Sequence, residues 1–164
     1  MKKIVLLLMA AILLPFAVDA KKNDAAIVPE YQCEGAGTTS DASRQVKVTI
    51  LSKKKDVTDA DLGKCAVHAV LFRDMDDKTN AGYGSAAVQK SIMGSPTAMS
   101  QHIDFFEPFF RNGDCNAYVQ AVNDPSVVKS GKGYKISAVV KVNTTQLRKD
   151  LEKQGMVKNL GSGW

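Results

Sequence analysis

Apolar and polar residues alternate in the stretch from Arg44 to Ser52, with Val46, Val48 and Ile50 on one side and Lys47 and Thr49 on the other. A period of two marks a strand with one face buried and one wet. The same period returns from Tyr134 to Val142, where Tyr134, Ile136, Ala138, Val140 and Val142 share a face, and from Cys115 to Val122 through Cys115, Ala117, Val119 and Ala121. Asn123-Asp124-Pro125 and Gly131-Lys132-Gly133 bound the connection between these two strands. Tyr31 to Ala36 is a further short strand. The turn formers Gly37-Thr38-Thr39-Ser40-Asp41 fold it back on the Val46 strand as a hairpin.

After Lys53-Lys54-Lys55-Asp56-Val57 the period lengthens to that of a helix. Thr58 and Asp61 form a capping signal, and Leu62, Cys65, Ala66, Ala69 and Val70 then line one face as far as Phe72 or Arg73. A second helix opens at Ser95-Pro96 and runs through Met99, His102, Ile103 and Phe106 until Pro108 interrupts it. A third starts from Asn143 and Gln146, carries Leu147 and Leu151, and stops at Gly155. Between the first two lies Asp74 to Ser95, rich in Asp, Gly, Ser and Ala. It reads as a long surface loop with a short strand near Ala87 to Ser91, and loops of that length are often functional. Met156 to Trp164 carries no periodic signal. The order is ββα-loop-αββα, which predicts an α+β domain: an antiparallel sheet of about four strands with about three helices packed on one face.

The first residues belong to another class of segment. Met1, Lys2 and Lys3 make a cationic start, Ile4 to Val18 an apolar run, and Val18-Asp19-Ala20 a small-residue cleavage site. This predicts a secretory signal peptide over 1–20, a flexible leader over 21–29 and a single domain over 30–164. Removing residues 1–20 lowers Lys+Arg from 22 to 20 and Asp+Glu from 17 to 16, so the net charge falls from +5 to +4. Cleavage after Ala20 sends the chain to the periplasm or out of the cell. Lys21, not cysteine, follows the cleavage site, which argues against a lipid anchor. No second apolar run is long enough for a transmembrane segment.

Export brings Cys33, Cys65 and Cys115 into an oxidising compartment. Cys65 falls on the apolar stripe of a helix while the other two fall in extended segments, so a Cys33–Cys115 disulfide is the expected pairing. It would contribute about 4 kcal/mol in the chain-entropy model. The alternative is that all three are small buried hydrophobes.

The stretches Tyr31-Gln32-Cys33-Glu34-Gly35-Ala36-Gly37, Ala66-Val67-His68-Ala69-Val70-Leu71-Phe72, Asp104-Phe105-Phe106-Glu107-Pro108-Phe109-Phe110, and Val140 to Asn143 leading into Leu147 to Leu151 are similar to a family of small uncharacterised proteins secreted by gut anaerobic bacteria. The likeness covers most of the chain after the signal segment, and it implies no activity, ligand or site residue. The early Gly35-x-Gly37 and the valine-rich strand ahead of a short Leu-containing helix also resemble envelope proteins of the flagellar-assembly T type.

Few residues carry chemistry. His68 borders the apolar stripe of the first helix and reads as structural, and His102 shares a helix with Asp104 and Glu107 at spacings that put neither carboxylate directly above it. No metal-ligand spacing occurs. The acidic cluster Asp74, Asp76 and Asp77 fails the calcium-loop pattern because Lys78 and Thr79 occupy ligand and glycine positions. Gly35-x-Gly37 precedes a strand and so does not cradle phosphate, and Gly161-Ser162-Gly163 lacks a nucleophile-elbow context. No cofactor is indicated. Lys53, Lys54 and Lys55 form a compact basic patch that suits an acidic envelope polymer or lipid surface; export and the lack of interleaved aromatics argue against nucleic acid. Phe105, Phe106, Phe109 and Phe110 cannot all face one way on a helix, so at least one is partly exposed and marks a contact site.

These features together predict an exported, non-enzymatic domain that binds a cell-envelope component or protein partner or self-associates into a homo-oligomer. Its binding residues are Phe105, Phe106, Phe109, Phe110, His102, Lys53, Lys54 and Lys55. The alternative is a hydrolase-type enzyme using His102 with Asp104 or Glu107.

Overall fold

Alternation at Arg44–Ser52 becomes a central strand, β2, paired on both sides in the computed structural model, which describes residues 26–77 and 87–158. Its hairpin partner is β1 (Tyr31–Thr38), in antiparallel register with Cys33 opposite Val48 and Gly35 opposite Val46. The opposite neighbour is β6 (Gly133–Val142), with Val46 opposite Val140, Val48 opposite Ala138 and Ile50 opposite Ile136. One face therefore stacks rows of valine, isoleucine and alanine, all at most 3 % exposed. This is the face that buries.

Helix α1 (Asp59–Phe72) covers that face. It starts at the expected place, because Thr58 accepts a hydrogen bond from the Asp61 backbone N–H while the Asp61 carboxylate accepts from the Thr58 N–H. The stripe of Leu62, Cys65, Ala66, Ala69 and Val70 is buried, but so are Val67, Leu71 and Phe72. A second layer packs on the far side of the helix: α3 (Ile103–Arg111) and a short 3-10 helix (Asp114–Tyr118). Gly63 permits that approach, since a Cβ there would lie 2.7 Å from Asn116 Oδ1 and 2.9 Å from Val119 Cγ2. The last helix, α4 (Thr144–Lys153), is capped by Asn143, which accepts from the Gln146 N–H, and adds Leu147 and Leu151 to the same core.

The α+β class holds, but the sheet is larger and mixed. With β3 at Met75–Asp77, β4 at Ala87–Gln89 and β5 at Val119–Ser130, it has six strands among the described residues in the order β4-β3-β1-β2-β6-β5, and β1 runs parallel to β3. Both extra strands come from Asp74 to Ser95: β4 is the short strand expected near Ala87 to Ser91, whereas β3 lies in what was expected to be loop. With three residues, β3 is too short for a period to register. Their antiparallel pairing is held partly by Gln89, whose buried amide donates to Asp77 Oδ2 at 2.9 Å and to the Gly37 carbonyl at 3.1 Å. Residues 78–86 of that segment lie outside the described residues, as do the expected signal peptide at 1–20 and residues 21–25 of the leader. Ile27 and Val28, expected to be leader, pack against the core.

Three further expectations change. The second helix divides into α2 (Ala98–Gln101) and α3, with the break at His102 (φ −122°, ψ 38°), and α3 continues through Pro108. A proline there removes one backbone donor, while Phe106, Phe109 and Phe110, on either side of it, are buried and hold the helix on the core. Cys115 to Tyr118 is helical rather than extended, and the strand β5 starts at Val119 and runs to Ser130. Asn123-Asp124-Pro125 is not a connection but a bulge within β5, where Asp124 takes φ 51° and the register against β6 shifts.

The expected disulfide is not formed. All three thiols are free. Cys33 lies on β1, whereas Cys115 lies in the 3-10 helix that packs on α1.

Candidate functional site

Helix α3 sorts its four phenylalanines by angle. Phe106, Phe109 and Phe110 fall at i, i+3 and i+4 and enter the core, whereas Phe105 is half-buried on the flank. The Phe105 ring stacks on Phe109 with centroids 5.6 Å apart and planes 20° apart, and Phe109 in turn meets Tyr118 at 6.0 Å. These rings form one wall of a cavity of about 430 Å³ between α3, the 3-10 helix and α4. Ala117, Leu147 and Leu151 complete an apolar floor, and Asp114, Asp150, Lys153 and Gln154 stand around it.

The polar side of this groove is ordered by one carboxylate. Asp150 accepts from Gln146 Nε2 at 2.8 Å, from Lys153 Nζ at 3.0 Å and from Tyr118 Oη at 3.1 Å, and the first two hold its carboxyl below the usual range. Burial, reinforced by that carboxylate, pushes the Tyr118 phenol up, so it stays a protonated donor. Asp114 is exposed. A groove of this kind offers an aromatic and aliphatic surface for an apolar body and carboxylates and an amide for polar groups at its edge. No Ser, Cys or His side chain lines it among the described residues.

The hydrolase dyad is not assembled. His102 is exposed at the α2–α3 break and does not line the groove, Asp104 is exposed, and the Glu107 carboxylate accepts from Arg111 Nε at 2.8 Å one helical turn away. Among the described residues neither imidazole is hydrogen-bonded to a carboxylate. Nor do three or more His, Cys, Asp or Glu side chains gather there in a metal-holding group.

His68 has a partner that spacing along the chain does not reveal. Its Nδ1 lies 2.6 Å from Tyr31 Oη across the α1–β1 interface, and its ring packs on Phe72 at 5.1 Å and Phe110 at 5.6 Å. The Arg73 guanidinium sits 4.3 Å from the centre of the Tyr31 ring and donates to the Tyr31 carbonyl at 3.3 Å. Burial first, and the Arg73 charge second, lower the His68 pKa to about 4, while burial pushes the Tyr31 phenol up. Both groups are neutral near pH 7, and the phenol, the stronger acid, donates to Nδ1. The pair forms a polar link between α1 and β1.

Lys53, Lys54 and Lys55 are exposed where β2 ends, apart from the groove lining, and Lys55 Nζ lies 5.0 Å from the centre of the Tyr134 ring. Of the residues expected to bind, Phe105 and Phe109 therefore share one site, Phe106 and Phe110 are core, and the lysines belong to another surface. Sequence reasoning missed Tyr118, Leu147 and Asp150. Tyr118 lay in an expected strand, and the Leu147–Leu151 pair reads as an ordinary buried stripe until α3 is placed beside it. Comparison with known protein families, with characterised proteins and with solved structures finds no match to this chain.

Proposed function

We propose that the chain is an exported binding domain without catalytic activity, taking a component of the cell envelope or a protein partner in the groove of Phe105, Phe109 and Tyr118. The observation that carries the reading is Phe105: a large ring left half in water, stacked on a buried one, at the mouth of an apolar cavity with polar groups at its edge. Aromatic side chains so placed contribute disproportionately to recognition because they bury much area at little entropic cost. Export rests on the apolar run from Ile4 to Val18 and the cleavage pattern ending at Ala20.

Titration of isotope-labelled protein with soluble envelope glycan fragments and with peptides tests this reading by NMR. Saturable shifts at Ala117, Tyr118, Leu147 and Gln154 that disappear in Phe105→Ala support it. Perturbation confined to other surfaces, or turnover of an added ester, amide or glycoside that survives purification and is lost in His102→Ala, overturns it.

A further inference from the structure

The tertiary fold gathers two basic segments that are far apart in the chain. Lys53, Lys54 and Lys55 leave β2 where Ser52 pairs with Tyr134, and the β5–β6 hairpin turns at that same end of the sheet. A Cβ on Gly133 would lie 2.6 Å from the Ser52 carbonyl oxygen and 3.6 Å from Lys53 Cα, so the hairpin tip and the lysine run are in contact. The tip brings Lys129, Lys132 and Lys135, all exposed. None of the six lysines forms an ion pair among the described residues. Two exposed acids, Asp56 and Glu30, accompany them.

Apolar side chains are set among these charges. Leu51, Lys135 and Val128 sit directly opposite one another across β2, β6 and β5, so they share the face of the sheet opposite α1. Leu51 is 65 % exposed and Val128 56 %. An acidic polymer would be held by the lysines alone and gains nothing from aliphatic side chains, which lack a flat face for sugars or bases. A bilayer interface takes both, with cations at anionic headgroups and aliphatic tips at the acyl boundary.

We infer that this end of the sheet, the lysine run after β2 together with the β5–β6 hairpin, docks the protein on an anionic lipid surface. The surface is separate from the aromatic groove, so either assignment stands or falls without the other.

Vesicle co-sedimentation tests it, using the exported protein in the form recovered from the expressing cells. Neutral phosphatidylcholine vesicles are compared with vesicles carrying about 30 % phosphatidylglycerol. Binding to the anionic vesicles only is expected, weakening as salt shortens the screening length from about 10 Å at 0.1 M. Replacing Lys53, Lys54 and Lys55 by Gln lowers partitioning by about fivefold per lysine, on the order of 100-fold together. Leu51→Ser with Val128→Ser lowers it further and removes the part that persists at high salt. All five side chains are exposed, so unchanged thermal melting shows that the variants fold. Equal binding to neutral and anionic vesicles, or a triple-Gln variant that binds as the parent does, overturns the inference. So does complete displacement by a soluble polyanion with no effect of the Leu51 and Val128 changes, which would assign the surface to an acidic polymer.

Discussion

Lowering the pH from 7 to 5 withdraws the stability that depends on a neutral His68. In the folded protein burial and the Arg73 charge keep the imidazole unprotonated down to about pH 4, whereas the unfolded chain takes up the proton near 6.5. The contribution is thus complete above pH 6.5 and is lost as pH falls through the window from 6.5 to about 4. The full separation is worth about 3 kcal/mol at 1.36 kcal/mol per pH unit, and about 2 kcal/mol is gone by pH 5. Protonation would also end the acceptance of the Tyr31 hydroxyl at Nδ1, the polar link between α1 and β1. Carboxylates with depressed pKa values, Asp41, Asp74 and Asp150, take up protons below this window and do not confuse it. Urea denaturation at intervals from pH 8 to 4.5 reads the effect, since with an m-value of about 2 kcal/mol per molar the midpoint drops by about 1 M between pH 7 and 5. His68→Asn keeps an acceptor near Nδ1 and removes the titration, so its midpoint should hold steady over the same range. A flat profile in the parent protein, an unchanged slope in the variant, or an NMR titration of His68 centred near 6.5 would refute the reasoning.

Phe106 is fully buried and touches Phe72, Phe105, Phe109 and Phe110, so Phe106→Ala should destabilise the fold by about 3–5 kcal/mol in thermal or urea denaturation. Gly63→Ala should destabilise by about 1–3 kcal/mol although alanine favours helices by about 1 kcal/mol, because the new methyl group meets Asn116 and Val119 below contact distance; a stabilised variant would mean that the 3-10 helix moves freely. Ellman's reagent at pH 8 should modify one thiol quickly, the half-buried Cys33. Cys65 and Cys115, whose burial pushes them up to about 12 and about 11, should react only as the protein opens, and all three should react in denaturant.

Some elements were legible in the chain because their cause is local. The Thr58–Asp61 capping box closes on itself within four residues, and the Asn143 cap needs only the N–H of Gln146. Val46, Val48 and Ile50 alternate over enough residues for a period of two to be unmistakable, as do Ile136 to Val142. The exposed ring among four phenylalanines followed from helical angle alone, although which ring it would be did not. Other elements were hidden because their cause is distant. Met75–Asp77 becomes a strand only because β1 offers an edge, and Gly35 lets the two backbones meet, a Cβ there lying 3.1 Å from the Asp76 carbonyl oxygen. Pro108 stays within a helix because the aromatic residues beside it hold that helix on the core.

The sequence by itself determined the strands β1, β2 and β6 and the helices α1 and α4, where those two helices start, and which of their faces are apolar, since all of these depend on residues within a turn or two of one another. Only the tertiary structure decided that His68 meets Tyr31, that Phe105, Tyr118 and Leu147 line one groove, and that Lys53–Lys55 join the lysines of a hairpin some 75–80 residues further on. Such pairings are fixed by strand order and by the layer that covers α1. No local period records either, because a side chain's spacing along the chain says which way it points and not what will be standing there.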